Sequence, residues 1–112
     1  MIKKVIIEII DKAIFEIEEY IEKYHIPQNS SLTTGHIKVL LLLKDEIIQN
    51  KIDINERVLR AFKDVCTSTA IEHEESIFHN SIFEINGLFE KEILKYKNLE
   101  LLRMDFGKGN PI

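Results

Sequence analysis

Cysteine occurs once in this chain, at Cys66, proline twice and glycine four times among 112 residues. One cysteine excludes an internal disulfide and any zinc site built on cysteines, and it fits a reducing compartment. The nearest approaches to a phosphate-cradling loop are Thr34-Gly35-His36 and Gly107-Lys108-Gly109. Neither has the spacing of a glycine-rich phosphate loop, which also needs a strand before it. Long apolar runs are missing as well. The longest unbroken one, residues 39–43, falls far short of the roughly 20 residues a membrane helix requires. Lys3 and Lys4 precede Val5-Ile6-Ile7 as in a secretion signal, but Glu8, Asp11 and Lys12 break the run and no small-residue cleavage site follows. The expectation is a cytosolic protein with no membrane partner.

The most pointed absence is of positive charge in one segment. Asp64, Glu72, Glu74, Glu75, Glu84 and Glu90 share residues 64–90 with no Lys or Arg, whereas residues 1–63 carry ten acids and ten bases. The net charge of −4 therefore originates in this segment. A solvated helical face usually mixes signs, because opposite charges three or four residues apart stabilise each other and like charges do not. A one-sign segment is suited to steering a basic partner.

What is present is helical periodicity, in a composition of 45% apolar and 30% charged residues typical of one globular domain. Strand-type alternation is absent, so the expected fold is all-α: a single domain, residues 1–112, with principal helices near 2–24, 34–49, 54–70 and 77–94 and an ordered C-terminal tail. In the first helix Ile2, Ile6, Ile10, Ala13, Ile17, Tyr20, Ile21 and Tyr24 share the inward sector, and Pro27 ends it. Residues 28–34 read as a loop that supplies an N-cap to the second helix. That helix is apolar nearly all round, with Ile37, Leu40, Leu41, Ile47 and Ile48 on one side, and is expected to be the most buried. Asp53-Ile54-Asn55-Glu56 has the form of a capping box for the third helix, which turns Ile54, Val58, Phe62, Val65 and Thr69 inward. Ser76 is the expected cap of the fourth, with Phe78, Ile82, Ile85, Leu88, Phe89 and Ile93 inward.

Glu72, His73, Glu74, Glu75 and His79 invite a test for metal, and Glu75 and His79 would share a helix face. The spacing matches neither the His-Glu-x-x-His zinc motif nor the Glu-x-x-His di-iron pattern, so no metal and no cofactor are expected. Cys66 falls on the inward face of the third helix and reads as a buried structural thiol rather than a nucleophile. Arg57, Arg60 and Lys63 form a basic stripe, but the overall acidity and the acidic segment that follows repel phosphates, which disfavours direct nucleic-acid binding. No catalytic constellation emerges. Two aromatics stand out instead. Phe15 lies on the polar side of the first helix among Glu8, Asp11, Glu18, Glu19 and Glu22, and Phe83 lies on the polar side of the fourth beside His79. An aromatic ringed by acids has the composition of a hot spot for a basic protein, the alternative being that the C-terminal tail covers each ring. The expected partner-binding residues are therefore Phe15, Glu19, Glu72, Glu74, Glu75, His79, Phe83 and Glu84.

The segment Arg57-Val58-Leu59-Arg60-Ala61-Phe62-Lys63-Asp64 and the ending from Tyr96 through Leu101-Leu102-Arg103-Met104-Asp105-Phe106 to Ile112 resemble small helical immunity proteins. These accompany contact-dependent growth inhibition and related bacterial polymorphic toxins. The resemblance covers roughly the second half of the chain. It implies a cytosolic antitoxin that binds the C-terminal domain of one cognate toxin, often a nuclease, and blocks its basic active-site cleft. It assigns no individual contact residue. An acidic adaptor for another basic protein and a small metal-dependent enzyme are the alternatives. Gene context separates the first and metal analysis the second.

Overall fold

The computed structural model describes residues 2–49 and 54–93, and among them the chain is all-α with no strand. Helix α1 spans Ile2–Lys23, α2 Lys38–Ile48, α3 Glu56–Glu72 and α4 His79–Leu88. Two wider, π-helical segments extend this set: Leu32–Ile37 leads into α2, and Phe89–Ile93 prolongs α4. Helix α1 packs on α2 and α4, and α3 packs on the same two. Cross-links fix the directions. Lys44 meets Asp11, Glu46 meets Asn55, Lys63 meets Glu90, and Ser81 meets Glu16, so neighbouring helices run antiparallel around the bundle.

Helix α1 turns one continuous apolar stripe into the core. Ile6, Ile10, Ala13 and Ile17 are fully buried at spacings of three and four, the stripe its periodicity predicts. Its end is a reversal in which His25 takes a left-handed conformation, φ 53°. Ile26 N–H reaches the Ile21 carbonyl at 3.0 Å and His25 N–H the Glu22 carbonyl at 3.3 Å, the paired bonds of a Schellman turn. Tyr24, placed inward by the wheel, is 56% exposed, because it sits in the turn past the last helical residue.

The expectation that α2 is the most buried helix is corrected. Leu32, His36, Leu40, Leu43 and Ile47 form its inner stripe, while Leu41 (51% exposed), Leu42 and Ile48 face outward. A helix apolar on every side carries no periodicity with which to choose a face, and its packing partners choose it. No side chain caps the entry to this helix. Ser31 already has helical dihedrals, and the Thr34 hydroxyl donates back to the Ser30 carbonyl at 2.9 Å.

Two further caps differ from expectation. At α3 the capping side chain is Asn55, whose Oδ1 accepts from Arg57 N–H at 2.8 Å; Asp53 lies outside the described residues. Ser76 does not cap α4: its hydroxyl donates to the His73 carbonyl at 2.7 Å, and α4 starts three residues later. Of the inward residues expected for α3 and α4, the Ile93 side chain lies outside those described, and the rest are as expected. Phe62, Val65, Thr69, Phe78, Ile82, Ile85 and Phe89 are all buried, with Val58 and Leu88 packed partly against them. Cys66 is buried too, and burial pushes its thiol up to about 11. The expected tail lies outside the described residues.

Candidate interaction surface

Because the helices alternate in direction, one end of the bundle gathers the last turn of α1, the π-helical entry to α2, the end of α3 and the start of α4. Beneath its surface lies a plug of rings. His36, 3% exposed, brings Nε2 to 3.2 Å from the Thr69 hydroxyl, which itself donates to the Val65 carbonyl at 2.7 Å. The direction of the Nε2 contact follows the tautomer of the His36 ring. The His73 ring stands edge-on to His36 at 5.8 Å, and both contact Phe78. Tyr20 meets Phe78 edge-on at 5.3 Å and packs against Tyr24 at 4.7 Å. Burial, and then the neighbouring His73, hold the His36 pKa below its ordinary value, so the neutral ring is favoured there. The Nδ1 atom of His73 is buried without a hydrogen-bond partner.

Above the plug the surface is acidic and partly apolar. Glu19 and Glu22 of α1, Glu72 at the end of α3, and Glu74 and Glu75 in the connection are all exposed. Among them stand Tyr24, Ile77 (58% exposed) and Ile71 (75% exposed). A solvent-open cleft of about 690 Å³ separates the last turn of α1 from the connection, lined by Glu19, Tyr20, Tyr24, Glu75 and Ile77 among others.

The sequence-predicted residues divide between this end and the flanks. Glu19 and Glu75 come together across the cleft, and Glu72 and Glu74 border the same end. Phe15 is 60% exposed on the outer face of α1, and Glu84 is exposed on α4; neither lines the cleft. Phe83 is corrected from an exposed anchor to a half-buried ring, packed against the core and stacked on His79 at 4.7 Å. Glu75 and His79 do not share a helix face, since Glu75 lies in the turn before α4. Among the described residues no three His, Cys, Asp or Glu side chains are grouped to hold a metal ion.

The exposed apolar side chains at this end, Tyr24, Ile71 and Ile77, escaped sequence reasoning. A signal existed for one of them. Tyr24-His25-Ile26-Pro27 places the tyrosine just before a proline, where the helix ends and its periodicity no longer fixes a side chain's direction. The basic stripe is partly absorbed by packing: Lys63 Nζ donates to Asn86 Oδ1 at 2.6 Å and to Glu90 Oε1 at 2.8 Å. This hydrogen bond to Lys63 lowers the Glu90 pKa. No helix among the described residues is long and apolar enough to cross a membrane. Comparison with protein-family models, curated proteins and solved structures finds no match for the chain.

Proposed function

We propose that this chain is a cytoplasmic binding protein with no turnover of its own, an immunity protein that captures a basic toxin domain, such as a nuclease, on the acidic end of its bundle. The observation that carries the reading is the convergence of Glu19 and Glu22 with Glu75 around exposed Tyr24 and Ile77, against Lys23 alone, with Glu72, Glu74 and Ile71 exposed at the end of α3 and in the connection that follows. Segments far apart in the chain supply the same sign of charge to one surface, and apolar side chains stand within it. That is the anatomy of an interface with steering charges at the rim and anchors at the centre. A protein that covers a phosphate-binding cleft must offer negative charge where the nucleic acid offers phosphates, and this end offers it. The sequence resemblance to immunity proteins supplies the biological setting.

Association kinetics with a candidate basic toxin domain test the reading. Changing Glu72, Glu74 and Glu75 together to Gln is expected to slow association, and the wild-type rate is expected to fall as salt rises, because rim charges act through water over about a Debye length. Tyr24→Ala and Ile77→Ala are expected to speed dissociation instead. Glu84→Gln, on the flank, serves as the control. A wild-type association rate indifferent to salt, with normal binding by the triple variant, would remove the acidic end from the mechanism. Protection that disappears on chelation would favour a metal-dependent alternative.

A further inference from the structure

We infer that the cleft between the last turn of α1 and the connection ahead of α4 receives an arginine side chain of the basic partner, an inference that rests on the binding reading above and names what enters. Its walls suit a flat cation on an aliphatic stem. On one side Tyr20 and Tyr24 pack at 4.7 Å, so the exposed Tyr24 ring is held by its neighbour. On the other, Ile77 presents an exposed aliphatic side chain next to Ser76. Glu19, Glu22 and Glu75 also line the cleft, with Lys23 as the one cation among its lining residues.

Lys23 shows what the aromatic wall accepts. Its Nζ lies over the Tyr24 ring, 5.4 Å from the centroid, so the chain's own ammonium already meets this ring, and both residues line the cleft. A guanidinium is better matched to the place than an ammonium. It is planar and stacks on a ring, sheds water more readily, and offers paired N–H groups to a carboxylate. Three carboxylates against one lysine leave the lining with an excess of negative charge even while Lys23 stays, so an incoming arginine is attracted whether Lys23 remains or is displaced toward solvent. The apolar side chain at 77 would cover the methylene stem as the head reaches the rings.

The test uses the full chain with isotope-labelled tyrosine rings and three peptides, acetyl-Gly-Gly-Xaa-Gly-Gly-amide with arginine, lysine or norleucine at the centre. The arginine peptide is expected to shift the Tyr20 and Tyr24 ring resonances saturably, the lysine peptide more weakly, and norleucine not at all. The double variant Glu19→Gln/Glu75→Gln should weaken arginine binding about tenfold, the size of effect expected when charge-assisted hydrogen bonds are lost. Lys23→Ala, which removes the resident cation, should tighten it. A well-dispersed amide spectrum of each variant establishes that the fold is kept. Equal shifts from norleucine and arginine, or arginine binding unchanged by both variants, would overturn the inference. Its failure is separable from failure of the parent reading. Salt-dependent capture of the toxin domain that survives Tyr24→Ala leaves the binding protein standing without its arginine cleft. Arginine-peptide binding without capture of the toxin domain leaves the cleft without its proposed partner.

Discussion

The seam between α3 and α4 is closed differently at its two ends. Toward the start of α3, Lys63 spans to Asn86 and Glu90 while Phe62 packs on Phe89 at 6.0 Å beneath it. Charge and apolar burial there are matched within the molecule. Toward the end of α3 the interior is again closed, by His36, His73, Thr69 and Phe78, but among the described residues no Lys or Arg forms an ion pair with Glu72, Glu74 or Glu75. A charge that finds its counterpart inside the fold serves the fold. Charge left without one, beside apolar side chains that are also left uncovered, is available to an external partner.

Substitutions at the two ends separate these roles. Phe78→Ala and Phe62→Ala each empty a fully buried site and are expected to cost about 3–5 kcal/mol, a large part of a small domain's stability, measured by denaturant unfolding. Phe78→Ala alone should also disturb the acidic surface, seen as weakened toxin binding where the protein still folds. Leu41→Ala, on the exposed side of α2, should cost far less than either; an equal loss would mean α2 is turned differently in the bundle.

Acid should distinguish the ends next. The His36 pKa is lower in the folded chain than the ordinary 6.5, so the unfolded chain takes up the proton first. The stability contributed by the neutral ring is present above pH 6.5 and is lost as pH falls from there through the folded value. Amide exchange near Thr69 and Phe78, taken relative to the intrinsic unprotected rate at each pH, should rise on acidification before exchange around Phe62 does, and His36→Gln should flatten that difference. A uniform rise across both ends would show that His36 does not control the opening.

Smaller effects follow from the backbone. Gly87 lies inside α4, and a Cβ built there meets nothing within 4 Å, so Gly87→Ala should stabilise by about 0.5–1 kcal/mol through helix propensity alone. The smallest change is expected at the Lys63 clasp. Lys63 and Glu90 are 45% and 56% exposed, and solvent screens such a pair, so Lys63→Met should shift a melting curve little. A large shift would mean that the partly buried contact to Asn86, not the ion pair, closes that end.

Legibility in the sequence followed contrast. In α1 and α3 charged and apolar residues alternate at helical spacing, so Ile6, Ile10 and Ile17, like Phe62, Val65 and Thr69, were recognisable as core. In α2 the run Val39-Leu40-Leu41-Leu42-Leu43 offers no contrast, and Leu41 and Leu43 exchanged roles. Caps were misjudged where several polar residues compete. Ser76 bonds backward to His73, and Asn55 takes the place allotted to Asp53. For the candidate site, the acidic segment was visible because charge is read directly from composition. The partnership of Glu19 with Glu75 was not, because it depends on α1 and α4 being antiparallel neighbours. The π-helical entry that carries His36 into the plug left no sign that periodicity could register.

Cys66 has a practical consequence for studying such a surface. With the thiol raised to about 11 and buried between α3 and its neighbours, its thiolate fraction at pH 7 is roughly one in ten thousand. A cysteine introduced at exposed Glu84 or Glu74 would therefore react with a maleimide dye well ahead of the native one. The wild-type background needs no cysteine removal, and the flank and the acidic end can each carry a single fluorophore in an otherwise unaltered core.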